Sequence, residues 1–350
     1  MVYLLTYIAL IILSVTRFKR AYWFAIFGLF VFVAFRFEVG CDWSGYYNQY
    51  RVFGSYPFER LISDSEPVWV NILAFQYSLG IPYPWINVLC SIVFFVGVHM
   101  VARRQRNPLA YLTLLFPVLI MNMPITAIRQ GLAIGLICGA FLAFVDRRLI
   151  RYVFLVLLAA GFHSSALIFL LLAPLIYGDV TKARLAIAGI LAVPGVIVLL
   201  STQAAETATV RYVVGDSEAA GAIFRILLLV LTGGGFLLFL RKQWKLMDPD
   251  LYRLVLIGSL MMVALPVTLL ASSVIGDRLG YYLVPIQAII FARLPYLHIP
   301  HLRRAVIVAP YIALLLMLGV WTTFSSHFRD CYLPYQTWIG GFPPATQFAY

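Results

Sequence analysis

Residues 152–177 read YVFLVLLAAGFHSSALIFLLLAPLIY. The run is long and apolar enough for a membrane span, which needs about 20 residues. Yet Gly161, Phe162, His163, Ser164 and Ser165 stand at its centre. Arg147, Arg148 and Arg151 precede it, and Lys182 and Arg184 follow it. Where those flanks lie decides whether the chain crosses here once or turns back.

The surroundings set the solvent. The 350 residues are 63% hydrophobic and 11% charged, with a mean hydropathy of +0.92. A soluble domain carries roughly a quarter charged residues. Apolar runs recur from end to end, so the chain reads as an all-α polytopic integral membrane protein. A β-barrel would alternate over segments of about 10 residues instead. The net charge of +12 falls in short clusters between apolar runs. That is the habit of cytoplasmic loops and not of a nucleic-acid surface, so no nucleic-acid partner is expected. The opening MVYLLTYIALIILSVTRFKR has neither a basic n-region nor a small-residue cleavage site and reads as a first span.

Five basic clusters mark the cytoplasmic side: Arg17/Lys19/Arg20, Arg103/Arg104/Arg106, Arg147/Arg148/Arg151, Arg241/Lys242/Lys245 and Arg303/Arg304. Spans near 3–16 and 21–36 then leave 36–66 as a first large external loop. Residues 67–79 are too few to cross upright and are expected to dip or lie in the interface. Further spans fall near 82–102, 109–124, 128–145, 185–201, 223–240, 252–271, 281–294 and 305–323. Residues 202–222 form an external loop and 324–350 an external tail, so both termini face outward.

This parity puts Arg151 and Lys182 on the same side. The segment 152–177 must therefore be a hairpin with GFHSS at its turn, or two thin crossings. Arms of about 10 and 13 residues reach about 15–20 Å into a core of about 30 Å. The turn lies deep, where irregular backbone needs protein or a wet cavity around it. The architecture is one transmembrane domain, 1–350, of about ten full spans, one short helical hairpin and one dipping helix.

The basic residues left outside or at outer span ends are all arginine: Arg36, Arg51, Arg60, Arg129, Arg211, Arg225, Arg278 and Arg329. Arginine is the planar, permanently charged fork suited to phosphate and carboxylate. Three sit in polar motifs at span ends, FRFEVGCDW (35–43), TAIRQGLA (126–133) and IGDRLGYY (275–282). With GFHSS, four segments offer polar groups to one side of the membrane, and ionisable groups at that depth mark function. Each also has a plain structural reading, in which Arg36 snorkels, Arg129 or Arg278 pairs with a carboxylate such as Asp277, and His163 bonds a neighbouring helix. Arg51, Arg60, Arg211, Arg225 and Arg329 read as surface or packing residues.

No soluble-enzyme motif is present. Gly233–Gly235 lies within a span with no strand before it, and His298 and His301 lack further ligands, so no metal or cofactor is expected. Cys90 and Cys138 fall in spans. Cys41 and Cys331 both fall outside, where an oxidising compartment permits a disulfide tying the first loop to the tail.

Four blocks, in order, resemble the EpsG family of Wzy-type polysaccharide polymerases. They are Arg36–Glu38–Gly40–Asp42–Trp43; Arg129–Gln130; Phe162–His163–Ser165–Ala166–Leu167–Ile168; and Asp277–Arg278–Tyr281, with Pro334–Tyr335 closing the set. Cys41 stands where the family pattern suggests threonine or another small residue. The resemblance implies a GT-C-like glycosyltransferase of the bacterial inner membrane, working on its periplasmic face in O-antigen or exopolysaccharide synthesis. Its donor and acceptor are oligosaccharides linked to undecaprenyl diphosphate, and a chain-length regulator is a further partner.

That chemistry asks for charge on the diphosphate leaving group, which places Arg36, Arg129 and Arg278 as a clamp. It asks for a base near neutrality on the acceptor hydroxyl, for which His163 is the first choice and Asp42 or Glu38 the alternatives. Trp43, Tyr46, Gln130, Ser165, Tyr281 and Tyr335 are expected to meet sugar or acceptor, with Tyr47 and Tyr50 further aromatics of the first loop. Rival readings are an O-antigen ligase or other polyprenyl-linked glycosyltransferase, a membrane acyltransferase, and a flippase for lipid-linked sugars. A flippase would line both halves of a pathway with charge.

Overall fold

The computed structural model describes residues 2–15, 20–56, 66–178, 181–190, 221–270, 273–298 and 302–342. Arg17, Lys19, Arg60, Arg211, His301 and most of the 202–222 loop lie outside them.

The first helices, α1 (Val2–Val15) and α2 (Ala21–Ala34), lead to a two-residue strand β1 (Arg36–Phe37). Helices α3 (Trp43–Gly54) and α4 (Pro67–Ser78) follow and pack on one another. The indole of Trp69 donates to Gln49 Oε1 at 3.0 Å and holds the pair together. Next come α5 (Trp85–Ala102), α6 (Pro108–Leu115) with a π turn at Phe116–Ile120, α7 (Ile128–Val145) and α8 (Leu149–Phe162). A 3₁₀ stretch Ser164–Leu175 then leads through a helical piece at 182–190. The remainder is α9 (Ala222–Met247), α10 (Pro249–Ala264), α11 (Ser273–Arg293), α12 (Arg303–Phe324), α13 (Ser326–Tyr332) and the strand β2 (Gln336–Thr337).

Local signals start several of these elements. Asn107 accepts from Ala110 N at 3.0 Å ahead of Pro108, and Asp248 accepts from Leu251 N ahead of Pro249. Each pairs a side-chain cap with proline at the first helical position. α7 is apolar on every face and is buried over most of its length, as a bundle core helix must be. Its glycines let neighbours come close: a Cβ at Gly97 of α5 would lie 2.0 Å from the Gly135 carbonyl, and one at Gly131 would press on the Met123 backbone. Close backbone approach through small residues is how apolar helices associate without a hydrophobic drive.

Among the described residues, five helices are long and apolar enough to cross a membrane: α5, α7, α9, α10 with its 3₁₀ extension, and α12. Val2–Val15, Ala21–Ala34, Pro108–Ile120, Leu149–Phe162 and Ser164–Leu175 are apolar but shorter. The chain is thus an all-α multi-pass membrane protein built of both full-length and short apolar helices.

The 152–177 segment folds back on itself. α8 stops at His163, whose backbone is extended (φ −151°, ψ 109°). The Tyr152 hydroxyl donates to Phe169 O at 2.5 Å across a separation of 17 residues. One continuous helix would put those groups about 25 Å apart. Tyr177 also lines a surface recess with Leu149 and Arg151, so the two ends of the segment meet.

Two elements depart from expectation. α11 begins at Ser273 rather than near 281, so Asp277 and Arg278 are helical residues and not a loop before a span. The tail, for its part, carries a strand that the sequence reading lacked. β2 pairs antiparallel with β1, Arg36 opposite Thr337 and Phe37 opposite Gln336. A two-residue strand carries no periodicity, and its partner is 300 positions away in sequence.

Ion pairs close the far end of the bundle. Arg104 forks onto Asp146 at 2.8 Å through both nitrogens. Arg293 pairs with Asp248 and donates to Gln105 Oε1 and Arg104 O.

Candidate functional site

Arg129 stands in the first turn of α7, at the end of the bundle that carries the first loop, and α8 is capped by His163 at the same end. Between them stands Glu66, in the position before Pro67 at the start of α4. Glu66 is buried and pairs with the Arg129 guanidinium. Its second oxygen accepts from Ser164 N at 3.1 Å and faces His163 Nδ1 at 3.9 Å. One carboxylate thus joins the first loop, α7 and the turn of the hairpin.

The hairpin turn reaches α4 because of Gly161. A Cβ there would lie 2.5 Å from Val68 Cγ2, so only glycine lets the turn slide under the first turn of α4. His163 Nδ1 also meets Ser165 Oγ at 3.0 Å, and Ser165 Oγ meets the buried Tyr282 hydroxyl at 3.1 Å. Ser165 orients the imidazole from its own turn of chain.

Arg129 lies over the ring of Tyr46, 5.6 Å from its centroid, and 6.0 Å from that of Trp69. Burial pushes the Tyr46 phenol up to about 12, so it stays protonated and able to donate. Arg278 is half-buried on α11, and the charges of Arg129 and Arg278 both act on His163. Asp42 is exposed at the start of α3 and acts electrostatically on Tyr46 and Arg129. Four predicted residues, Arg129, His163, Arg278 and Tyr46, therefore come together.

Others do not. Arg36 is 1% exposed. Its Nη1 donates to Val33 O at 2.7 Å, its Nε to Val39 O at 3.1 Å and its Nη2 to Asn87 Oδ1 at 3.0 Å. Three of its N–H groups are thus held by protein, and they fix the β1 turn. Trp43 lies beneath Arg36 and edge-on to Tyr83, with 4% of its surface exposed. Gln130 donates to Arg278 O at 2.6 Å and braces α7 to α11. Tyr335 donates to Phe32 O at 2.7 Å and stacks on Phe32, anchoring the tail. Tyr281 lies against Arg225, which forks onto Asp277 at 2.7 Å through two nitrogens. Arg225, read from sequence as a surface or packing residue, is thus the partner of Asp277, and Tyr281 belongs to that separate pair.

Glu38 adopts a left-handed backbone (φ 52°) and lines a cavity of about 130 Å³ with Cys41, Asp330 and Cys331. Cys41 and Cys331 are joined as a disulfide with Cα atoms 4.8 Å apart. Gly40 N donates to Cys331 O at 2.7 Å, and the Tyr332 hydroxyl donates to Met121 O at 3.0 Å and meets Thr126 Oγ1 at 2.7 Å. The tail is clamped over the first loop beside the site.

Glu66 is the residue that sequence reading missed. Its one signal is position, a carboxylate directly before the proline that opens a short apolar helix.

Short apolar helices, a folded-back segment and a Glu–Arg–His cluster at one end of the bundle define a multi-pass membrane protein with a polar site set into it. The EpsG family profile matches residues 19–337, nearly the whole chain, and the chain belongs to that family. EpsG-type proteins are Wzy-like polysaccharide polymerases of the bacterial inner membrane. Comparison with curated proteins and with solved structures found no match.

Proposed function

We propose that this chain polymerises polysaccharide repeat units carried on undecaprenyl diphosphate, at the periplasmic face of the inner membrane. The observation that supports this reading is the convergence of Arg129, His163 and Ser164 on Glu66. In it, α1 begins outside, the 152–177 hairpin enters from the cytoplasmic side, and its turn forms the floor of an outward-facing site.

The reaction transfers the growing glycan from its diphosphate to the terminal sugar of a second lipid-linked unit. The acceptor hydroxyl attacks the anomeric carbon, the bond to the diphosphate oxygen breaks, and the hydroxyl proton goes to His163 Nε2. Ser165 engages Nδ1 and fixes the ring, and the imidazolium that forms faces Glu66, an arrangement of base and orienting carboxylate that recurs in acyl transfer. Arg129 and Arg278 take up the charge that develops on the diphosphate. Arg129 is shared between Glu66 and the leaving group, so donor binding loosens the ion pair and leaves Glu66 to His163. Asp42 and Tyr46, on the loop above, contact the acceptor sugar.

The test is purified protein with lipid-linked repeat units. A ladder of lengths from the native chain, and single-repeat product from His163→Ala, is the expected result. Transfer to lipid A core alone would mark a ligase, and movement of units across a vesicle without extension a flippase. Long polymer from His163→Ala would remove His163 as the base.

A further inference from the structure

The join between the first loop and the tail carries more than a covalent link. Cys41, His327 and Cys331 place one ligating atom each within 4.8 Å of one another. His327 Nε2 lies 3.2 Å from Cys41 Sγ, and its Nδ1 lies 3.4 Å away. His327 and Cys331 are four residues apart on α13, so both side chains leave the helix on one face. Opposite them the 130 Å³ cavity is lined by Glu38 and Asp330.

We propose that these three residues form a redox-gated zinc site: a disulfide in the oxidised protein, and a two-thiolate, one-imidazole zinc centre once the disulfide is opened. Opening needs a dithiol reductant. One of its thiolates attacks a protein sulfur, a mixed disulfide forms, and the second thiol closes the reductant's own disulfide and releases two protein thiols. Two electrons pass to the protein, and zinc then displaces the two thiol protons.

The donor set fits the metal. Zinc takes thiolate and imidazole in tetrahedral sites, at about 2.3 Å and about 2.0–2.1 Å respectively. Tetrahedral ligand atoms at those bond lengths lie roughly 3.3–3.8 Å apart; the imidazole already stands near that distance from Cys41, while the two sulfurs must part and Cys331, within 4.8 Å, must close on the imidazole. The backbone on both sides stays held while they do, through the Gly40 N to Cys331 O bond and the β1–β2 pair. The fourth position faces the cavity, where a carboxylate or water completes the shell. Zinc then keeps the tail on the loop when the covalent bond is lost.

The experiment uses full-length protein in detergent, one half oxidised and one half treated with a dithiol and desalted without oxygen. Zinc is titrated against a chromophoric chelator, and cobalt serves as a spectroscopic probe. Reduced protein should take up one zinc per chain and show thiolate-to-cobalt charge transfer, and oxidised protein should do neither. His327 is exposed, so His327→Ala leaves the cysteines and tail contacts intact and should weaken zinc at least tenfold. Equal uptake by oxidised and reduced protein, uptake by Cys41→Ser/Cys331→Ser matching reduced native chain, or undiminished affinity in His327→Ala would overturn the site.

Discussion

Glu66 and Arg129 form a partly buried ion pair between residues 63 apart in sequence. The pair docks α4 against the start of α7, and the free edge of the carboxylate serves the hairpin turn. A carboxylate at this depth is stable because the guanidinium and the Ser164 amide share it.

Neutralising Glu66 leaves Arg129 uncompensated and His163 without its negative neighbour. Glu66→Gln is expected to lower chain extension at least about 100-fold, the usual order for loss of assisted proton transfer. Arg129→Gln should behave similarly, and the double variant should be no worse than either alone, since the residues act as one unit. Full-length polymer from Glu66→Gln in the ladder assay would sink the role.

Arg36 and Arg278 should separate stability from turnover. Arg36→Lys keeps charge but loses the fork that holds Val33 O, Val39 O and Asn87, at a cost of about 2–3 kcal/mol. It should lower Tm in detergent and leave the KM for donor unchanged. Arg278→Lys should raise the KM for donor and leave Tm unchanged. The reverse pattern would return Arg36 to the ligand.

Gly161→Ala pushes a methyl into Val68 and displaces the strand of contacts that carries Glu66. Activity is expected to fall about tenfold or more with little change in membrane insertion, the cost of misplacing a catalytic group by about 1 Å. Val68→Ala added to it should restore much of the loss. If the double variant is as poor as Gly161→Ala, the contact is not the cause.

A proton on His163 blocks it as a base, so the rate of chain extension should climb with pH along an acid limb. That limb should vanish from whatever activity survives in His163→Gln. A pH profile identical in the two proteins would assign the proton to another group.

Tyr332→Phe removes the donor to Met121 O and the contact with Thr126, worth about 1–2 kcal/mol. The tail should become more open to protease at residues after 332, read by mass spectrometry of the fragments. Protection equal to that of native protein would show that the disulfide and β2 suffice.

Much of the frame was legible. The periodic apolar runs and the clustering of arginine and lysine between them place α5, α7 and α12 within a few residues. Arg129, His163 and Arg278 stood out because charge amid apolar sequence is costly and therefore kept for a reason. Arg36 stood out for the same reason and proved to hold backbone carbonyls. An arginine spent on protein and one held for a ligand look alike until the distances to its neighbours are known.

Sequence by itself determined the solvent and the helical class, because hydropathy and charge act locally and can be summed along a chain. Only the tertiary structure decided which carboxylate meets His163. Glu66 reaches it through a helix whose seat depends on Gly161, and the tail reaches Cys41 from 290 residues away. Such pairings arise from close packing between distant segments, and a single chain read in order carries no record of which side chains packing will bring within 4 Å.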